Sequence, residues 1–257
     1  MTFSLIVATL GRTAELAALL DSLEKQTFRD FEVIVADQNE DARILPLLEG
    51  RDFAITRTVS AKGLSRARNA ALPLAKGSVV AFPDDDCTYS PHTLLAVRDF
   101  FATHPAAGGV VAAFNSIRTQ ANRFSILKNA PSWAFFLRRN VVEGVGDFDE
   151  SYGLGPDAAY KSAEDSDYLI RALAAGCRIF REPGLGIAHP SPDFRDFPAQ
   201  KIEDYGFARM ALLRKHGYAF WFRLANLAYP LARMLVSPGK AGYYAAMFRG
   251  RRKGFFA

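Results

Sequence analysis

"FSLIVATLGRTAELAALLDSLEKQTFRDFEVIVAD", residues 3–37, opens on an apolar run rich in β-formers (3–9) and closes on a second one (31–37). Between them Leu16, Leu19, Leu20 and Leu23 recur at helical spacing, with Glu15 and Glu24 on other faces and Thr13 as the N-cap. The stretch is therefore a buried strand, an amphipathic helix and a second buried strand. Residues 53–83 repeat the alternation: "FAITRTV", then "GLSRARNAALPLAKG" with Gly77 as the helix C-cap, then "SVVAFP". Such β/α alternation predicts an α/β fold, a mainly parallel central sheet covered by helices on both faces.

Directly behind the last of these strands stand three consecutive carboxylates, Asp84, Asp85 and Asp86, in "AFPDDDCTYS". Like charges this close repel, so the cluster needs a positive partner; the plainer reading is a solvated turn, where Asp is common. Open α/β sheets bind ligands beyond the carboxyl ends of their strands. Thr9, Asp37 and Asp84 to Asp86 all fall at such ends, which favours one shared cleft over three unrelated turns. Carboxylate oxygens suit a hard divalent cation, and a pyrophosphate needs the same ion. The expected positive partner is a metal ion carrying a nucleoside diphosphate. His189, in "GIAHPSP", follows another short apolar run; as a ligand its imidazole would favour manganese over magnesium, and otherwise it is structural.

Further along, "PHTLLAVRDFFATHP" predicts a helix and "GGVVAAFNS" a strand, while residues 116–136 are irregular. "SWAFFLRRNVVEGVGDFDESYGLGPD" suggests a strand or hairpin leading into a Gly-rich loop. "SAEDSDYLIRALAAG" predicts an amphipathic helix with Ser162 as N-cap, Gly176 near its end, and Glu164, Asp165 and Asp167 in the first turn.

The 257 residues suffice for one large α/β domain with an appendage, and 49% hydrophobic with 23% charged residues is ordinary for a globular chain. Two cysteines, Cys87 and Cys177, leave little scope for disulfides and suit a reducing compartment. The opening "MTFSLIVATLGR" lacks a basic region and a cleavage pattern, so it is read as a strand and the protein as cytoplasmic. Residues 205–257 hold ten Lys or Arg and no Asp or Glu; against a chain total of +5, residues 1–204 carry −5. The division expected is a catalytic domain over 1–204 and a basic, aromatic, helical extension over 205–257. Arg223, Pro230 and Arg233 interrupt the extension's apolar stretch, which argues against a spanning helix. A segment lying on the inner face of the cell membrane, its cations on anionic lipid, is expected instead; the alternative is a helix packed on the domain with a solvated basic end. No nucleic-acid motif accompanies the charge, and no nucleic-acid partner is expected.

The ordered set "VATLGR", "VIVADQN", "KGLSRARNAALPLAKGSVVAFPDDDC", "VGDFDE", "AEDSDYLIRALAAG" and "AHP" resembles the family 2 glycosyltransferases of the GT-A (Rossmann-like) fold, over residues 3–190. The resemblance implies an inverting, metal-dependent transfer from a nucleotide-sugar donor, with UDP the commonest carrier, to a hydroxyl of a lipid-linked or cell-surface glycan intermediate. Carried over by position, Thr9 and Asp37 would contact the nucleoside, with Asp37 accepting a hydrogen bond from the base. Arg68 would reach the base or phosphates, ahead of Arg66, and Gly63 would allow close backbone approach at a helix start. The DXD-type motif falls on Asp84 to Asp86: Asp86 would ligate the metal together with His189, while Asp84 and Asp85 would lie nearer the ribose and donor sugar. Asp165 would be the general base that takes the acceptor proton. Processive members generally carry Gln-x-x-Arg-Trp after the base; here the tryptophans are only Trp133 and Trp221, so a single, non-processive transfer is implied. A nucleotidyltransferase and a non-catalytic membrane-bound nucleotide-sugar-binding protein are the alternatives; the first would show a Gly-rich basic loop where "VATLGRTAEL" stands.

Overall fold

In the computed structural model, which describes residues 1–113, 117–128, 131–190 and 197–257, β1 (Phe3–Thr9) and β2 (Phe31–Asp37) run parallel, Phe3 opposite Phe31 and Thr9 opposite Asp37. Between them α1 (Ala14–Glu24) buries all four spaced leucines, each worth about 1.5–3 kcal/mol of apolar burial. Thr13 occupies the N-cap position, but its side chain makes no capping bond. A single turn α2 (Leu45–Leu48) leads to β3 (Ala54–Val59), parallel to β2, and α3 (Leu64–Ala71) leads to β4 (Val79–Ala81), parallel to β1 on its other side. The β/α alternation is as the sequence predicts.

Past β4 come β5 (Thr88–Tyr89), α4 (Thr93–Thr103), β6 (Gly109–Ala113), β7 (Thr119–Gln120), α5 (Arg123–Ile126), β8 (Phe135–Arg138), α6 (Arg139–Val145), α7 (Glu164–Ala174), β9 (Ile179–Pro183) and β10 (Ile187–Ala188). Among the described residues the large sheet has eight strands in the order β3-β2-β1-β4-β8-β6-β9-β7, and β10 pairs with β5 separately. β8 enters antiparallel between β4 and β6, β7 pairs antiparallel with β9, and the remaining pairs are parallel.

Three local expectations change. The strand or hairpin expected from residue 132 is a strand, but a helix follows it ahead of the loop: Phe135, Phe136 and Leu137 are buried in succession, so β8 shows no alternation, and α6 buries only Val142, too little to display a helical period. Gly77 is not a helix cap. The helix ends earlier, because Pro73 lacks an N–H and leaves only a 3₁₀ turn, Leu72–Leu74. Gly77 instead passes so close to β1 that a Cβ there would lie 2.5 Å from Ser4 N and 2.6 Å from Phe3 C. Finally, α7 starts at Glu164, so the residue ahead of it is Ala163, at φ +77°, and Ser162 falls outside the cap position.

The chain divides into two compact units, Met1–Phe148 with Tyr168–Pro190, and Asp149–Asp167 with Ser191–Ala257. The boundary expected at 204/205 falls inside α8 (Ala199–Lys215), a continuous helix. In the first unit Phe82 sits at the centre of an aromatic cluster, its ring 5.7 Å from Phe135, 5.0 Å from Phe148 and 5.9 Å from Tyr168. In the second, α8 packs on α10 (Ala241–Phe256) through glycines: a Cβ at Gly206 would lie 2.8 Å from Met247 O, and one at Gly250 2.0 Å from Glu203 O. Between them in sequence, α9 (Phe220–Val236) packs on α10. Among the described residues no helix is long and apolar enough to cross a membrane.

Gly77→Ala must push backbone away from backbone and is expected to cost about 1–3 kcal/mol in urea denaturation. Gly144→Ala, inside α6 with nothing within 4 Å of its added Cβ, is expected to be neutral or to stabilise by up to about 1 kcal/mol.

Candidate active site

Because β2, β1 and β4 are adjacent and parallel, their carboxyl ends lie at one edge of the sheet: Thr9 faces Asp37 across the ladder, and Ala8 bridges to Asp84. Asp85 is buried there, its Oδ2 accepting from Thr9 Oγ1 at 2.8 Å and its Oδ1 from Arg12 Nη1 at 2.8 Å. Burial holds the Asp85 pKa above the ordinary carboxylate value, against the opposing pull of Thr9 and Arg12. The same Arg12 nitrogen donates to Asp86 Oδ2 at 2.5 Å. Asp84 Oδ1 is 3.1 Å from Arg68 Nη2 and accepts from Ser132 Oγ at 3.3 Å. Arg68 is only 1% exposed; it also donates to Ser132 Oγ at 2.5 Å, and its guanidinium lies 5.3 Å from the Phe148 ring centroid. The repulsion among the three carboxylates is thus met first by Arg12 and Arg68. The metal ion that the sequence suggested as the positive partner would join these two arginines at Asp84 and Asp86.

A narrower place remains for a cation. His189 Nε2 lies 3.0 Å from Asp86 Oδ1 and 3.7 Å from Asp84 Oδ2, and its Nδ1 lies 2.7 Å from the Pro190 carbonyl. A carbonyl can only accept, so Nδ1 carries the proton, and in the neutral ring the Nε2 lone pair points at the two carboxylates. Asp86 Oδ1 is buried, and the group that reaches it is His189 Nε2. Two carboxylates and an imidazole therefore present ligand atoms within 4.8 Å of one another. A buried carboxylate oxygen 3.0 Å from an imidazole nitrogen fits a divalent cation that would take the place of the proton between them, and the Nδ1–H bond to a carbonyl is the usual device that orients a ligating histidine. The Trp133 ring, stacked on His189 at 5.0 Å and 9°, holds the plane of the imidazole. With no metal bound, the hydrogen bond to Asp86 and the charges of Asp86 and Asp84 raise the His189 pKa despite its burial, and Asp86 is lowered, first of all by His189.

Asp37 is fully buried, its Oδ1 accepting from Asn39 N at 2.9 Å and Asn39 Nδ2 at 2.7 Å, its Oδ2 from Arg57 at 2.8 Å. A base reaching Asp37 would have to displace one of these partners. Gly63 stands at the N-cap of α3 at φ +142°, a backbone that L side chains rarely adopt, and its N–H donates to Gln38 Oε1 at 2.7 Å. The first turn of α7 separates the three acids that the sequence left equivalent. Asp167 is fully buried and held by Lys215 Nζ at 2.6 Å and His216 Nε2 at 2.8 Å, Glu164 is buried, and Asp165 is half-buried. Ala163, at positive φ, turns the chain into this helix at a backbone cost on the order of 1–3 kcal/mol.

The structure thus brings Thr9, Arg68, Asp84, Asp85, Asp86 and His189 into one network. Arg12, Ser132 and Trp133 belong to it too, and the sequence did not mark them: Arg12 lies just past the end of β1 within "VATLGR", and the other two lie in the stretch read as irregular.

The family model for glycosyl transferase family 2 matches residues 4–161. A PGL/p-HBAD biosynthesis glycosyltransferase of Mycobacterium bovis (strain BCG / Pasteur 1173P2) is 28% identical over 194 residues, 70% of this chain and 72% of that protein. Among solved structures, the mannosyltransferase PcManGT from Pyrobaculum calidifontis, in complex with GDP-Man and Mn2+, is similar with a TM-score of 0.74 at 17% identity, over 99% of this chain and 87% of that one. S. aureus TarS in complex with UDP-GlcNAc is similar with a TM-score of 0.62 at 20% identity, over 84% of this chain and 66% of that one. At these identities the two structures speak for the fold.

His189 must lose its proton to ligate a metal, and in the metal-free protein it binds that proton more tightly than a free imidazole, whose pKa is 6.5. Manganese affinity, measured by calorimetry, is therefore expected to start falling above pH 6.5 as the pH is lowered and to drop about tenfold per unit below the His189 pKa. In His189→Ala that dependence is expected to vanish along with most of the affinity.

Proposed function

Since this chain belongs to glycosyl transferase family 2, we propose that it moves one sugar from a nucleoside-diphosphate sugar to an acceptor hydroxyl, with inversion at the anomeric carbon, and that the transfer depends on a divalent cation. The observation that carries the proposal is the buried Asp86 Oδ1 facing His189 Nε2 beside Asp84. Asp86 and His189 would hold the ion, and the imidazole favours manganese over magnesium. Bound there, it supplies Lewis-acid stabilisation to the leaving diphosphate.

The chain's own groups do the rest. Arg12 and Arg68 pair with the three carboxylates and orient them. Thr9, Asp37, Gly63 and Arg68 form the nucleoside and phosphate side, and Asp84 and Asp85 face the ribose and donor sugar. Asp165 takes the proton of the attacking hydroxyl as the new C–O bond forms and the bond to the diphosphate breaks. Displacement with inversion requires no covalent enzyme intermediate.

UDP is the favoured carrier, and PcManGT with GDP-Man gives reason to test GDP beside it. The acceptor proposed is a lipid-linked or cell-surface glycan intermediate in polysaccharide assembly, met at the inner face of the cell membrane.

Nucleoside-diphosphate release from UDP-, GDP- and dTDP-sugars should require manganese, fail with chelator and be lost in Asp86→Ala. Asp165→Asn should lower kcat for transfer by about 10²–10⁴-fold while donor affinity stays within about twofold. Unchanged turnover in Asp165→Asn would remove the base assignment, and a wild type that binds no nucleotide with metal present would remove the transferase reading.

A further inference from the structure

Helix α9 is amphipathic in the wrong sense for a solvated helix. Each of its exposed positions holds an apolar residue or Tyr229, whereas its polar residues Arg223, Asn226 and Arg233 are half-buried. Phe220, Trp221, Leu224, Leu231, Leu235 and Val236 make up most of the outer stripe; Trp221 is 66% exposed, Leu235 85% and Val236 70%. Their spacing places them along one side of the helix over its full length. The polar side is taken by α10, where Arg233 Nε donates to Tyr244 Oη at 3.1 Å and Arg251 Nη1 donates to Asn226 O at 2.5 Å. α10 is pinned to α8 by its glycines, so α9 alone of these helices offers a long apolar face. A contiguous apolar stripe of this kind on a folded surface marks a docking site.

Charge identifies the occupant. The contacts of Phe220 with Phe255, Asn226 with Arg251 and Arg233 with Tyr244 make α9 and α10 antiparallel. Exposed Arg252 and Lys253 therefore stand at the Trp221 end of the stripe, and exposed Lys240 stands just past the Val236 end. The whole segment from residue 205 onward contains no acid. An apolar face with cations at both ends and no carboxylate matches an anionic bilayer, and with 17 residues and two arginines α9 suits insertion along the interface rather than across it.

We propose that α9 is a monotopic membrane-docking helix: its Trp221–Val236 stripe is buried in the acyl boundary of an anionic leaflet while Lys240 and Arg252 contact lipid phosphates. The inference refines the membrane part of the proposed function and rests on it for its purpose, although its geometry is that of the second unit alone.

Flotation of the full chain tests it, using vesicles of phosphatidylcholine alone and of phosphatidylcholine with phosphatidylglycerol, at low and high salt. The wild type is expected to float with the anionic vesicles, less so at high salt, and to show a blue-shifted tryptophan emission that Trp221→Ser loses. The triple variant Trp221→Ser, Leu231→Ser, Leu235→Ser is expected to bind at least about tenfold more weakly, with unchanged thermal unfolding. Wild type that stays in solution with every vesicle overturns the proposal, as does a triple variant that floats equally well. So does a wild-type dimer that fails to float and that the triple variant converts to monomer, which would assign the stripe to a second copy. Nucleotide binding with manganese, measured without vesicles, should be equal in wild type and triple variant; its absence from both would refute the transferase reading and leave the flotation result standing.

Discussion

Three adjacent carboxylates at the end of β4 can stay together only if cations from elsewhere in the chain come to them. Arg12 arrives from the loop after β1 and Arg68 from α3, and the imidazole of His189 joins them just past β10. Arg12 reaches Asp85 Oδ1 and Asp86 Oδ2, Arg68 reaches Asp84 Oδ1 and His189 reaches Asp86 Oδ1, so one acidic cluster ties three distant segments to one strand end. The pairing is reciprocal, because a guanidinium 1% exposed, like that of Arg68, is tolerable only beside a carboxylate and with its other hydrogen bonds made. What these two arginines leave over is specific: one buried carboxylate oxygen and one imidazole nitrogen, facing each other.

The sheet makes this arrangement possible before any side chain is considered. Parallel pairing of β2, β1 and β4 in register brings Thr9, Asp37 and Asp84 to one edge. Antiparallel β8, on the far side of β4, is preceded directly by Ser132 and Trp133, which serve Asp84 and His189. The small β5–β10 pair extends from the acidic triplet on one strand to His189 on the other, setting Ala188 opposite Thr88. Backbone ladders thus determine which residues meet, and the local charges determine what they do together.

Legibility in the sequence followed the physics of each element. β1, α1 and β2 were plain because long apolar runs and a leucine period are visible without tertiary information. α6 was not, since a seven-residue helix with one buried position shows no period, and β8, four residues without alternation, was legible only as a strand or hairpin. Gly77 was misread for a related reason: its requirement comes from β1, 73 positions away in the chain, where it meets Ser4. The acidic triplet and His189 stood out as chemistry, but Arg12 did not, since a single arginine in a polar loop has no local signature. Asp167 could be told from Asp165 only once Lys215 and His216 were seen to enclose it.

Membership of glycosyl transferase family 2 gives this geometry a purpose, and the proposed link between them is the ion that Asp86 and His189 would hold. Diffraction at the manganese absorption edge from crystals grown with manganese and a nucleoside diphosphate tests that link most directly. The account predicts one anomalous peak within coordination distance of both Asp86 Oδ1 and His189 Nε2, with a diphosphate oxygen in the same shell. A peak elsewhere, or no peak and a protonated His189 hydrogen-bonded to Asp86 beside a bound nucleotide, would contradict it.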